Sequence, residues 1–150
     1  MASLLNLDNP ALAYYSVPAA LVLAGIPVGI ASSLAGKNHD HNYPRRTVEK
    51  SAKDAHLSQE VKDKIERAKA ANANACETLG YYAAAVVAAV TAGVATRTVN
   101  LHCAAYLASR VLYNVAYIQL GNGHLRGAVW ITGIGIMTSL WIKAAGALAA

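Results

Sequence analysis

From Asn9 to Gly36 the chain carries no charged residue. At about 1.5 Å per helical residue, that run is longer than the roughly 30 Å hydrocarbon core of a bilayer. Three more apolar runs follow. Thr78 to Thr96 is free of charge, Val99 to Leu120 holds only Arg110, and Gly127 to Ala150 holds only Lys143. A hydrophobic content of 55% over 150 residues is high for a soluble domain, and a membrane solvent accounts for it more simply. The reading is an all-α integral membrane protein, a single domain forming a four-transmembrane-helix bundle. Its spans lie near 10–36, 66–96, 99–120 and 126–148, with a polar loop at 37–58. Pro18 and Pro27 fall inside the first span and predict a bent helix. The second helix is expected to begin near Ser58 in water and then enter lipid.

The charge is unevenly spread. Nine of the thirteen Lys and Arg residues lie between Lys37 and Lys69, together with six acidic residues. That balance, with no aromatic interleaving suited to stacking bases, excludes nucleic acid as a natural partner. Basic residues collect on the cytosolic side of a membrane, so the first and third loops are placed in the cytosol and both termini in the lumen or outside. The first seven residues lack Lys and Arg, and Asp8 precedes the first apolar run, so that run is expected to stay in the mature protein. Cys76 and Cys103 read as buried thiols. His39, Asp40, His41 and His56 match no metal-ligand spacing and read as a solvated loop. The small residues of the second and fourth helices (Ala83, Ala84, Ala85, Ala88 and Ala89; Gly127, Gly133 and Gly135) are expected to let helix backbones approach closely.

An ionisable side chain in a bilayer core costs about 2.5 to 3.5 kcal/mol on insertion scales, so Glu77, Arg110 and Arg126 need partners or a wet cavity. Asn74, Glu77 and Tyr81 share one stripe of the second helix. Arg110, Tyr113 and Tyr117 share a face of the third, and Arg126 opens the fourth. The alternating directions of these helices bring all of them toward the cytosolic side, in one pocket. Two readings follow from spacing: a structural Glu77–Arg110 ion pair with tyrosine anchors, or a site for a small, polar, anionic ligand.

The segment from Glu66 to Glu77 resembles the second-helix signature of the membrane-associated proteins in eicosanoid and glutathione metabolism, the MAPEG family. In that signature an E-R pair precedes R-A-x-x-N-x-x-E. Here Asn74 and Glu77 match, and Ala70 stands where the family has arginine. Ser109 to Tyr117 is similar to the family's third-helix motif A-R-x-x-[YH]-x-x-x-Y, Arg126 matches the arginine that opens its fourth helix, and Asn42 to Arg45 is similar to an N-P-R motif with Tyr43 inserted. The likeness covers residues 42–130, and its nearest branches are the prostaglandin E synthases and glutathione transferases of microsomes.

The resemblance implies a homotrimer with glutathione in a cytosol-facing cleft between subunits. It also implies a lipophilic substrate arriving from membrane lipid, and a location in the endoplasmic reticulum or another microsomal membrane. Arg126 would be the catalytic residue, stabilising the thiolate. Asn74, Glu77, Arg110, Tyr113 and Tyr117 would bind the tripeptide. The implied activity is a glutathione-dependent transfer, isomerisation or reduction. The alternative is a non-catalytic lipid-binding accessory protein of the same fold.

Overall fold

A computed structural model describes residues 6–149. Four long helices pack side by side: α1 (Ala11–Ala35), α3 (Gln59–Thr91), α4 (Thr96–Asn114) and α5 (Gly123–Ala149). The connection between α1 and α3 was expected to be a loop. It instead contains two 3-10 turns (Gly36–Asn38 and Pro44–Arg46) and a short helix α2 (Thr47–Lys53). Pro44 at the start of its turn fixes a helical φ where a missing N–H costs nothing, which favours helix immediately after it.

That connection is tied by carboxylates. Asp54 accepts from Asn38 Nδ2 at 2.8 Å and from the His56 N–H at 2.9 Å, with Lys37 Nζ at 3.7 Å. Asp40 accepts from Lys50 Nζ at 2.7 Å and from the backbone N–H groups of Asn42 and Tyr43. His39 joins the same knot, its Nδ1 3.2 Å from Thr47 Oγ1 and its ring edge-on to His41. The bond from Asn38, then that from the His56 N–H, holds the Asp54 carboxyl below its ordinary range, and Lys50 does the same for Asp40. Both folded-state pKa values are depressed, so their contribution is complete above the unfolded aspartate value of about 3.9 and is lost as pH falls through the folded values. Amide-exchange protection over residues 38–54 is therefore expected to drop as pH is taken from about 5 to about 3, while protection within α1 holds.

α3 starts at Ser58, whose hydroxyl accepts from the Val61 N–H at 3.4 Å, with Glu60 in the first turn where the helix dipole favours a negative charge. Its 33 residues span about 50 Å, so its charged first half extends past the apolar second half. It stops in a Schellman turn. Gly93 has φ +78°, the Gly93 N–H bonds Val90 O at 3.1 Å, and the Val94 N–H bonds Ala89 O at 3.0 Å. α4 runs on into a π-helical turn, Val115–Gln119, and the chain reverses through Gly121, at φ +60°, into α5.

α1 packs on α3 through small side chains: Ala13, Ser16, Ala20, Ala24, Pro27, Ala31 and Ala35 are all buried along one stripe. This stripe was not among the small residues picked from the sequence. Of those on α3, Ala85 and Ala89 are buried, Ala83 and Ala88 are half-buried and Ala84 is exposed; on α5, Gly133 is buried and Gly135 is exposed. Both prolines lie within a continuous α1. Asn72 Nδ2 donates to Ala24 O at 2.8 Å, three residues before Pro27, where the ring disturbs the carbonyl ladder.

Two apolar clusters fill the bundle. One surrounds Tyr82 and Tyr106, stacked at 4.0 Å, with Tyr82 donating to Ser16 Oγ at 2.6 Å. The other gathers Ala31, Ala35, Ile65, Ala68, Ala71, Tyr113 and Ile118. Leu21, Val22, Ile131, Ile142 and Leu148 face outward. By length and composition, Ala11–Asn38 and Gly123–Ala149 are each apolar enough to cross a membrane.

Candidate functional site

Arg110 sits between the two clusters. Its side chain is buried, with the guanidinium carbon 5.4 Å from the Tyr106 ring centre and 5.0 Å from that of Tyr113. The faces of both rings carry the negative end of the aromatic quadrupole and offset part of the cost of burying a cation. Nη1 donates to Asn74 Oδ1 at 3.4 Å, which links α4 to α3, and Nε has no hydrogen-bond partner among the described residues. Space for the guanidinium comes from α5. A Cβ built on Gly133 would lie 2.6 Å from Arg110 Nη2 and 3.1 Å from Ser109 Oγ.

Gly133→Ala is therefore expected to push Arg110 off Asn74. The atom met is the end of a flexible side chain, so the cost falls at the low end of the about 1 to 3 kcal/mol of an overpacked buried site, to be read as a modestly lower midpoint in thermal unfolding in detergent. An unchanged midpoint would mean that Arg110 has a second, equally good seat.

Glu77 does not join Arg110. It is exposed on α3, and among the described residues neither it nor Arg110 makes an ion pair. The stripe Asn74, Glu77, Tyr81 splits by environment. Asn74 turns to α4. Tyr81 turns to α5, 3.3 Å from Thr138 Oγ1 and stacked on Trp141, and Glu77 points out of the bundle.

Arg126 and Tyr117 form the second part of the site. The Arg126 guanidinium lies over the Tyr117 ring at 4.9 Å, and Tyr117 meets Tyr113 edge-to-face at 5.8 Å, so the two arginines are joined through a pair of phenol rings. Tyr117 lies within the π-helical turn, where each turn holds an extra residue; π-helical turns are frequent at functional sites. No carboxylate pairs with Arg126 among the described residues.

A third cation belongs to this end of the bundle. The Arg67 guanidinium carbon lies 3.5 Å from where a Cβ on Gly121 would be, and its buried Nε has no partner among the described residues. Tyr106 was missed, although its position four residues before Arg110 puts both on one helix face.

The void beside Arg110 and Tyr113 is about 10 Å³, room for little more than a water. Glu77 faces outward and Arg126 and Tyr117 are only partly covered, so these side chains remain open to whatever lies against the bundle.

Among the described residues the chain is all-helical, with two helices apolar enough to cross a membrane, an outward apolar surface and buried cations without carboxylate partners. The sequence model of the MAPEG family matches residues 12–146, and the chain is a member of that family. Its members are membrane-bound and include glutathione transferases and isomerases as well as non-catalytic proteins. No curated protein and no solved structure matches the chain.

Proposed function

We propose that this chain is a membrane-embedded, glutathione-dependent transferase or isomerase acting on a lipophilic substrate. The working unit is a homotrimer of four-span subunits, with the first and third loops in the cytosol and the termini in the lumen. The observation that carries the reading is Arg126: a cation held over the Tyr117 ring, with no carboxylate to neutralise it among the described residues. Such a group favours the thiolate over the thiol of a ligand placed against it.

The donor set fits a zwitterionic tripeptide. Glu77 accepts from an ammonium or amide, Asn74 presents both donor and acceptor, and Arg110 and Arg126 supply positive charge for carboxylate and thiolate. Tyr117 lines the approach, with Tyr113 buried behind it. Glu77 and Arg126 open outward from the bundle, which suits a cleft completed by a neighbouring subunit rather than by one chain. Glutathione supplies the nucleophilic sulfur; the residues orient it, hold its charge and bring it next to a substrate drawn from lipid.

Ala70, in place of the family arginine, favours the second reading, a lipid-binding accessory protein without turnover. Ultraviolet titration of glutathione mixed with the purified protein separates the two. The enzyme gives a thiolate signal near neutral pH, below the ordinary thiol value of about 8.5, together with conjugation of at least one apolar electrophile. The accessory protein gives neither.

A further inference from the structure

A groove of about 610 Å³ runs between α4 and α5, lined by Leu101, His102 and Ala105 on one side and Thr132, Gly135, Ile136 and Ser139 on the other. It lies apart from the arginine site. Ser139 is thirteen residues beyond Arg126 on α5, about 20 Å along the helix. Two polar side chains meet inside it: His102 Nδ1 is 2.8 Å from Thr98 O, and Nε2 is 2.8 Å from Ser139 Oγ.

The proton positions follow from the partners. A carbonyl oxygen only accepts, so Nδ1 carries the ring proton, Nε2 of the neutral imidazole accepts, and the Ser139 hydroxyl donates to it. Thr132 Oγ1 donates to Ala128 O at 2.9 Å, so its proton is also committed. The polar atoms left facing the groove are hydroxyl lone pairs. They accept and do not donate. Lys143, one turn beyond Ser139, is exposed and lies outside the groove lining.

We propose that this groove binds an apolar-bodied alcohol, a lipid whose hydroxyl donates to Ser139 Oγ while its hydrocarbon lies along Leu101, Ala105, Gly135 and Ile136. The lining selects the ligand. A carboxylate brings acceptors to acceptors, and an ether lacks the donor. The ligand's hydroxyl would also complete Ser139 as a relay from lipid to imidazole, a chain of hydrogen bonds that fixes the head while the tail stays in the bilayer. The outward apolar side chains Leu101 and Ile131 make the groove continuous with the lipid-facing surface, which gives the ligand its way in.

The test uses full-length protein in lipid nanodiscs and three photoreactive probes of equal chain length: a long-chain alcohol, its methyl ether and the corresponding fatty acid. A sterol and a monoacylglycerol compete, to distinguish the natural sources of the hydroxyl. The expected result is alcohol labelling mapped to peptides containing Leu101–Ala105 or Thr132–Ser139, with labelling by the ether and the acid at least about tenfold weaker, the scale of one lost hydrogen bond. Ser139→Ala lowers alcohol labelling to the ether's level.

Gly135→Leu blocks labelling; Gly135 is exposed, a Cβ there meets nothing within 4 Å, and a melting curve beside wild type checks the fold. Arg126→Ala leaves labelling unchanged, which keeps the proposal separate from the glutathione reading. Equal labelling by alcohol and ether, or stronger labelling by the acid, overturns it. So does loss of labelling together with ready disulfide formation between two copies of Leu101→Cys, which would make a second chain the occupant.

Discussion

Arg126→Ala is expected to remove the thiolate signal of bound glutathione at neutral pH and to lower turnover with any apolar electrophile by at least about tenfold. An opposite charge within about 4 to 6 Å depresses an acid's pKa by 1 to 3 units. Withdrawing the guanidinium therefore returns the thiol pKa toward its ordinary value of about 8.5 and cuts the nucleophile present near pH 7 by roughly 8- to 30-fold. The fold is expected to stay intact. Arg126 is partly exposed and its stacking on Tyr117 is the kind of contact worth about 0.5 to 1 kcal/mol, so the thermal midpoint moves little. Arg126→Lys should fall between the two, keeping the charge and losing the planar seat on the ring. The measurement is an ultraviolet pH titration of wild type and both variants beside a melting curve. Superimposable titrations for wild type and Arg126→Ala would take the thiolate role away from Arg126.

Long apolar runs and misplaced charges were enough to read the four long helices, because a lone charge in lipid is costly and so marks the run that contains it. Arg110 and Lys143 were legible in that way. The first connection was read as loop because its residues are polar, yet Asp40 and Asp54 each gather donors from several turns away and stabilise helix α2 in a stretch with no apolar periodicity. The face shared by Asn74 and Glu77 was overdrawn. Three residues along a helix rotate by about 300°, leaving about 60° between two side chains, and at the edge of a packed face that angle separates a half-buried amide from an exposed carboxylate. Gly133 was read as packing, and it is. What it packs against is the Arg110 guanidinium, a long-range contact that no local spacing encodes. The α4–α5 groove was invisible for the same reason, since His102 and Ser139 sit on different helices 37 residues apart.

Replacing Arg110 with methionine separates the two remaining views of that residue. A buried cation with one hydrogen bond of 3.4 Å, an unpartnered Nε and two ring faces has not recovered the several kcal/mol that leaving water costs. A flexible apolar side chain of similar length fills the same space between Tyr106, Tyr113 and Gly133 without that cost. Arg110→Met is therefore expected to leave the thermal midpoint unchanged or to raise it, by up to about 4 kcal/mol of stability. Arg110→Ala instead opens a cavity and costs about 2 to 5 kcal/mol. Glutathione affinity should move the other way. Loss of a charged hydrogen-bond donor costs about 1.5 to 3 kcal/mol, roughly 10- to 100-fold in Kd, and Asn74 loses the group that orients its carbonyl. Calorimetric binding and melting on the same preparations decide the matter. A methionine variant that is stabler and binds poorly shows that the charge is kept for the ligand. One that is less stable and binds normally makes Arg110 a structural bolt between the two apolar clusters and leaves the cleft to Arg126, Glu77 and the tyrosines.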